Sequence, residues 1–216
     1  MMLLVNFKNY RNGVGKNAIQ LANEFDRIAR KLNTDIILAV DAASIYPVSQ
    51  TVSIPVFAQH VDGVGFGPYT GHIIPESLKH NGASGTLMNH AEKIVDVSHV
   101  LSAISRCSPL GLKSAVYVHS IKSAKQVAYA SPDYMIFDSV FSNLASKTKA
   151  QLVGEFVKIV KEVNAKIKLL YEMRFYELQN AKQLMDCGLD GLSVPFLATK
   201  REPEKIVESL GTLFSK

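Results

Sequence analysis

Residues 54–93 read IPVFAQHVDGVGFGPYTGHIIPESLKHNGASGTLMNHAEK, and this stretch decides the fold. Two short apolar runs, Ile54 to Ala58 and Gly85 to Met88, each end on polar side chains. A predicted helix, Pro75 to His80, lies between them and follows a loop rich in Gly and Pro. The pattern predicts a parallel β-α-β unit whose polar residues lie at the C-terminal ends of the strands, where α/β barrels carry their chemistry.

Strands and helices alternate outward from this unit in both directions along the chain. Apolar periodicity predicts strands at 3–5, 35–40, 55–59, 86–89, 113–118, 134–137, 167–170 and 191–194. It predicts helices at 17–32, 43–51, 75–80, 94–107, 121–129, 151–164, 178–187 and 203–214, with Pro47 interrupting the second. Eight strand-helix pairs in 216 residues predict a (β/α)₈ TIM barrel, α/β in class, formed as a single compact domain. A doubly wound open sheet is the alternative, but it requires a Gly-rich phosphate loop after an early strand, and residues 6–10 do not form one.

The composition limits the classes of partner. The formal net charge of +5 is spread thinly and has no aromatic-basic motif beside it, so we expect no nucleic-acid site. No apolar run approaches the roughly 20 residues of a membrane span, and the first residues do not fit a secretory segment, so we expect no membrane partner. Cys107 and Cys187 are too few and too far apart to suggest a disulfide framework, which favours a cytoplasmic location.

Four blocks of sequence carry a resemblance to a known family. Residues Val5 to Tyr10, Phe57 to Asp62, Thr70 to Ile73 and Gly85 to Glu92 resemble the corresponding blocks of archaeal triosephosphate isomerases. The resemblance implies an isomerase of glycolysis and gluconeogenesis that acts on a small phosphorylated carbonyl substrate and uses no cofactor. It also implies a homodimer or homotetramer assembled through the 59–73 loop, because in the family that loop inserts into a neighbouring subunit.

The resemblance assigns roles to residues of the first half of the chain. It implies that Asn6 and Lys8 bind substrate, with the Lys8 charge near the developing enediolate, and that His90 is a neutral electrophile. Glu92 matches the acidic residue of the same motif, and Ala91 stands where the family has Ser. Taken without the resemblance, a Lys and a His at strand ends are often ordinary polar rim residues, and Glu92 is typical of a helix N-terminus.

The catalytic base implied by the family is altered. The family's strand-six Glu is Asp138 here, one methylene shorter, in the block from Pro132 to Val140. A displacement of about 1 Å in a catalytic group costs on the order of 10²-fold in rate. An interpretation of almost equal weight is that Asp138 only caps a strand or turn. The segment Val140 to Lys147, where the family has its closing lid, lacks glycine.

The phosphate-binding glycines implied by the family are also replaced. The family's Gly-Ala-Gly-Ile after strand seven is Glu172 to Phe175 here, and its Ala-Ser-Gly after strand eight is Pro195 to Leu197. Backbone N–H groups of glycine segments approach phosphate closely, whereas Pro has no N–H and a carboxylate repels the dianion. Arg174 is a candidate substrate-binding residue, although pairing with Glu172 or Glu177 is the more ordinary expectation.

These observations leave three hypotheses for function. We predict an isomerase-family barrel with weak or lost isomerase activity. If the protein is active, we expect Lys8, His90 and Asp138 to be its catalytic residues. The alternatives are a proton-transfer enzyme that acts on a different small carbonyl compound, and a non-catalytic assembly or regulatory paralogue. We expect no metal site, since no pair among the other histidines considered has the spacing of metal ligands: His60, His72, His80 and His99.

Overall fold

The computed structural model describes residues 2–139, 148–174 and 180–195. Several predictions therefore lie outside the described residues. They concern the lid segment 140–147, Phe175, Glu177, residues 196–197 and the last predicted helix at 203–214.

Eight parallel strands form a closed barrel in which each strand pairs with the next and β8 pairs with β1. The strands are β1 (Met2–Asn6), β2 (Asp35–Val40), β3 (Val56–Ala58), β4 (Gly85–Met88), β5 (Lys113–Val118), β6 (Tyr134–Phe137), β7 (Lys168–Glu172) and β8 (Gly191–Pro195). The barrel confirms the (β/α)₈ prediction. The pairing of β1 with β8 closes the sheet and thereby excludes the open, doubly wound alternative.

Helices follow the strands on the outside of the barrel. The described α-helices are α1 (Gly15–Leu32), α2 (Ile45–Ser49), α3 (Pro75–His80), α4 (Val97–Cys107), α5 (Ile121–Ala128), α6 (Lys149–Val163) and α7 (Ala181–Met185). Short 3₁₀ turns lie at Arg11–Gly13, Ala42–Ser44 and Ser108–Leu110. None of the helices in the described ranges combines the length and the apolar character needed to cross a membrane.

The core has two layers, one between the helices and the strands and a smaller one inside the barrel. The inner layer contains Leu4, Ile37, Ala39, Phe57, Leu87, Ala115, Tyr117, Ile136 and Leu170. Side chains alternate between the two faces of a strand, so the residue two positions later also faces the barrel axis, one step nearer the C-terminal end. This rule places Asn6, Gln59, Asn89, Asp138 and Glu172 together at that end.

The structure corrects two predicted boundaries and one predicted interruption of a helix. Helix α4 begins at Val97 rather than at residue 94, because Asp96 has an extended backbone and precedes the first turn. Pro47 does not interrupt its helix, since it is the third residue of α2, within the first turn where its missing N–H costs no hydrogen bond. Strand β4 ends at Met88 because Asn89 has a positive φ of 58°.

A fourth correction concerns the last two strands. Strand β7 extends to Glu172 and β8 to Pro195, so both residues belong to strands rather than to the loops that follow them. Glu172 pairs in register with Ser193 of β8. The Glu172 side chain is therefore fixed by the barrel instead of by a loop.

Candidate active site

Lys8 lies in a supported turn directly after β1. Its backbone is left-handed, with φ 50°. The Asn6 side chain is buried and accepts a hydrogen bond from the Lys8 backbone N–H at 3.0 Å. A non-glycine residue held in a sparsely populated backbone region costs on the order of 1–3 kcal/mol, and such residues concentrate at functional sites. The fold therefore holds Lys8 in one orientation at the C-terminal end of the barrel.

Glu92 binds the Lys8 ammonium group. The Lys8 Nζ donates a hydrogen bond to Glu92 Oε1 in an ion pair. Burial by itself would raise the pKa of Glu92, but the hydrogen bond and the charge of Lys8 outweigh burial and lower it. Because α4 begins only at Val97, Glu92 does not occupy a helix N-terminus. Its contacts indicate that it orients Lys8 from the rim of the site.

The hydrogen bonds of His90 define its tautomer. Nδ1 of this buried ring accepts a hydrogen bond from the Glu92 backbone N–H at 3.0 Å. The proton of the neutral ring is therefore on Nε2, which has no hydrogen-bond partner among the described residues. Burial, and then the charge of Lys8, lowers the pKa of His90 to about 4. At pH 7 the ring is neutral and presents an N–H donor.

The loop after β4 is built to hold His90 in place. The Asn89 side chain donates to the Tyr117 carbonyl and accepts from the Val95 backbone N–H, both at 3.0 Å. The Tyr117 ring packs edge-on against the His90 ring, with centroids 4.6 Å apart. These contacts connect the β4 loop to β5, so the position of His90 follows from the barrel.

Asp138 is a buried carboxylate with a specific cationic partner. It is 1% exposed, and its Oδ1 accepts a hydrogen bond from Arg174 Nη2 at 2.8 Å. Among the described residues Arg174 pairs with Asp138 and not with Glu172, which corrects that part of the expectation, whereas Glu177 lies outside the described residues. Arg174 therefore holds one oxygen of the buried Asp138 carboxylate.

Glu172 is a second buried carboxylate at the same end of the barrel. It is 1% exposed, its Oε2 accepts a hydrogen bond from the Tyr117 hydroxyl at 3.3 Å, and Tyr117 also contacts the Ser193 hydroxyl at 3.0 Å. Oε1 has no hydrogen-bond partner within the described part of the chain. Burial raises the pKa of Glu172 to about 7, and the nearby charge of Asp138 contributes in the same direction.

The raised pKa of Glu172 makes a testable contribution to stability. Its ordinary value is 4.5 and its folded value about 7, so the folded protein retains a proton that the unfolded chain releases in this pH window. Stability therefore falls as pH rises from about 4.5 to about 7, by up to about 3 kcal/mol. We expect Glu172→Gln to be more stable relative to the wild type at pH 8 than at pH 5, as measured by urea unfolding.

The control for this measurement is Glu162→Gln, which alters an exposed glutamate of α6. Its difference in unfolding free energy from the wild type should be the same at both pH values. An equally constant difference for Glu172→Gln would show that Glu172 ionises normally in the folded protein.

A cavity of about 370 Å³ opens at the C-terminal ends of β1 to β4. Its lining includes Asn6, Lys8, His90 and Glu92, so the structure brings together four of the six predicted site residues. The lining also includes Asp41, Gln59, His60, Asp62, Gly71 and Ile73. Asp138 and Arg174 do not line this cavity, but the charges of both act on the pKa of His90.

Sequence reasoning did not identify Tyr117 as part of the site. Tyr117 is fully buried in the inner layer, where it contacts His90, Glu172 and Ser193. The alternation of β5 was a usable signal, because a large polar-tipped residue near the end of an inward-facing row needs a hydrogen-bond partner. The identity of that partner depends on β7 and β8, which lie far away in sequence.

A model of the family "Triosephosphate isomerase" matches residues 1–128 of this chain. A triosephosphate isomerase of Methanocaldococcus jannaschii is 30% identical, with 89% of this chain and 90% of that protein covered. A triosephosphate isomerase of Sulfurisphaera tokodaii is 31% identical, with 96% and 92% covered.

A solved structure supports the same fold. The crystal structure of triosephosphate isomerase from Bartonella henselae superposes with a TM-score of 0.69 at 20% sequence identity. The match covers 90% of this chain and 92% of that one. At this identity the likeness is evidence for the barrel alone, whereas the family model and the archaeal relatives bear on ancestry.

Proposed function

This chain belongs to the triosephosphate isomerase family, and we propose that it interconverts glyceraldehyde 3-phosphate and dihydroxyacetone phosphate with low efficiency. The observation that carries the proposal is the neutral His90, whose Nε2–H is free of described partners beside the Lys8 ammonium group. A hydrogen-bond donor and a positive charge at the same site stabilise the negative charge that develops on a carbonyl oxygen during such a reaction.

In the proposed reaction, Asp138 removes a proton from the carbon next to the carbonyl group. The electron pair of that C–H bond moves to form the enediolate, whose oxygen is stabilised by Lys8 and by the Nε2–H of His90. Asp138 then returns the proton to the neighbouring carbon, while the proton on oxygen moves between the two oxygens. No electron acceptor is needed, because the substrate is oxidised at one carbon and reduced at the next.

Two features support a low efficiency on this substrate. Asp138 is one methylene shorter than Glu and is held by Arg174 at 2.8 Å, so it reaches less far toward substrate. Glu172 is a second carboxyl group near Asp138, and the negative charge of Asp138 contributes to the raised pKa of Glu172. When ionised, Glu172 would oppose a phosphate dianion at the end of β7.

A coupled assay with the full chain and glyceraldehyde 3-phosphate tests the proposal. Assayed alongside the Sulfurisphaera tokodaii relative, this chain should turn over substrate with kcat/KM lower by about 10²-fold or more, the cost of a misplaced base. Equal values for the two proteins would contradict the low efficiency. Turnover that does not change in Lys8→Met would contradict the assigned site, and no turnover by the wild type would favour the non-catalytic alternative.

The position of Glu172 favours a second candidate substrate, a small carbonyl compound without phosphate. A direct assay of isomerisation with glyceraldehyde, in which proton NMR follows the conversion to dihydroxyacetone, separates the two candidates. If phosphate contributes binding energy, kcat/KM for glyceraldehyde 3-phosphate will greatly exceed that for glyceraldehyde. A ratio near one, together with failure of 2-phosphoglycolate to bind, would favour the non-phosphorylated substrate.

We further propose that the chain assembles with copies of itself through the 59–73 loop and acts in the cytoplasm. Support for assembly comes from Phe66 and Tyr69 on this loop, whose side chains are 76% and 42% exposed. Exposed aromatic side chains are enriched at protein–protein interfaces. Cys107 and Cys187 are both free thiols, which suits a reducing compartment.

The assembly proposal predicts that Phe66→Asp lowers the molar mass measured by light scattering to that of one chain. The physical reason is that a charge at the centre of an apolar contact must be desolvated without a partner. Tyr129→Asp is the control, because Tyr129 is 71% exposed at the C-terminal end of α5 and lies outside the loop. A wild-type protein that is already a single chain would contradict the proposal.

A further inference from the structure

We propose that His60, Asp62 and His99 bind a divalent transition-metal ion such as Zn²⁺. One ligand atom from each of the three side chains lies within 4.8 Å of the other two. His60 Nε2 is 3.2 Å from Asp62 Oδ1, and the rings of His60 and His99 stack at 5.9 Å. Two imidazoles and one carboxylate are a ligand set that Zn²⁺ takes in proteins, with water as the fourth ligand.

The hydrogen bonds around the cluster leave suitable atoms for an ion. His99 Nε2 contacts the Val61 carbonyl oxygen at 3.2 Å, and because a carbonyl only accepts, this nitrogen carries the proton. The lone pair of the neutral ring is therefore on Nδ1. Donation of the other ring N–H to a carbonyl is the usual support of a metal-binding histidine.

Asp62 is held in a comparable way. Its Oδ2 accepts a hydrogen bond from the Ile73 backbone N–H at 2.7 Å, which leaves Oδ1 directed toward His60. In tetrahedral coordination the ligand atoms lie about 3.3 Å apart for metal–ligand distances near 2.0 Å. Because the ligand atoms lie within 4.8 Å of one another, closure by at most about 1.5 Å is required, which is within the reach of side-chain rotation. The charge of Lys93 acts on His60 and opposes a cation, so we expect moderate affinity.

The cluster lies on a contact between the β3 loop and α4. Ser102 Oγ and Arg106 Nε both donate to the Gly63 carbonyl, at 2.8 and 3.0 Å. His99, Ser102 and Arg106 lie three and four residues apart along α4 and therefore share one face of the helix. An ion on His99 would extend this row of contacts to the beginning of the loop.

The consequence of binding would be a more rigid 59–73 loop. Asp62 already closes the segment by its bond to Ile73, and a metal bond would fix Asp62 to α4 as well. Asp62 and Ile73 also line the 370 Å³ cavity. The proposal departs from the expectation of no metal site, because His99 is brought to the β3 loop by the packing of α4 and not by local spacing.

Titration with Co²⁺, followed by its visible absorption, tests the proposal on full-length protein freed of metal by a chelator. We expect one equivalent of Co²⁺ per chain, an absorption band typical of tetrahedral coordination, and displacement by Zn²⁺. His99→Gln should weaken Co²⁺ binding by more than about 100-fold, because it removes a direct ligand. His80→Gln, an exposed histidine of α3, should bind like the wild type.

A second readout separates loss of the site from loss of the fold. Zn²⁺ should raise the melting temperature of the wild type and of His80→Gln but not of His99→Gln, because only a ligand of the folded state stabilises it. Circular dichroism would establish that His99→Gln is folded. Equal Co²⁺ affinity in His99→Gln and the wild type, or a Zn²⁺-independent melting temperature in the wild type, would overturn the proposal.

Discussion

Asp138→Asn should lower the kcat of isomerisation by about 10²–10⁴-fold, the usual contribution of a general base. The amide is nearly the same shape as the carboxylate, and its oxygen still accepts the hydrogen bond that Arg174 donates at 2.8 Å. The fold should therefore persist, while the group no longer accepts a proton from carbon. The measurement is the coupled assay with glyceraldehyde 3-phosphate at saturating concentration.

Asp133→Asn is the control variant, and proton exchange with solvent is an independent measurement. Asp133→Asn changes a carboxylate immediately before β6, which binds Lys113 and the Ser114 backbone N–H at the opposite end of the barrel. It should affect stability and leave kcat unchanged. Exchange of the substrate C–H proton with deuterated water should stop in Asp138→Asn. Exchange at the wild-type rate would assign the base to another group, and the raised pKa makes Glu172 the first to test.

The sequence was sufficient to predict the barrel and one side of the site. Each strand is marked by an apolar run that ends on polar side chains, which places Asn6 and Asp138 at the C-terminal end of the barrel. Their roles come from the resemblance and not from the alternation. Lys8 and His90 were recognised from their motifs. Their common location follows from closure of the parallel strands, which brings the C-terminal ends together.

The pairings between charged groups could not be predicted in the same way. The pairing of Arg174 with Asp138 and not with Glu172 depends on side-chain geometry at the ends of β6 and β7. Glu172 was read as a loop residue, because strand ends are uncertain by one or two residues. That small shift places Glu172 in β7, where its side chain is only 1% exposed.

Lys8→Met should lower kcat/KM by about 10²–10³-fold, the cost of removing one group that stabilises the developing oxyanion. The methionine side chain is similar in length and keeps the packing of the Lys8 stem, which is only 11% exposed. Glu92 loses its partner but is 62% exposed, so water solvates the carboxylate. The loss should therefore lie in activity and not in stability. Lys79→Met, an exposed lysine of α3, is the matched control.

Lys8→Met should also change the pKa of His90, which a purely structural role of Lys8 would not do. The charge of Lys8 is the second cause, after burial, that lowers the pKa of His90 to about 4. Removing the charge should raise the pKa of His90, while burial keeps it below 6.5. NMR titration of the His90 ring measures this shift. If the pKa does not move in Lys8→Met, the two groups do not share one site, and the loss of activity would need another explanation.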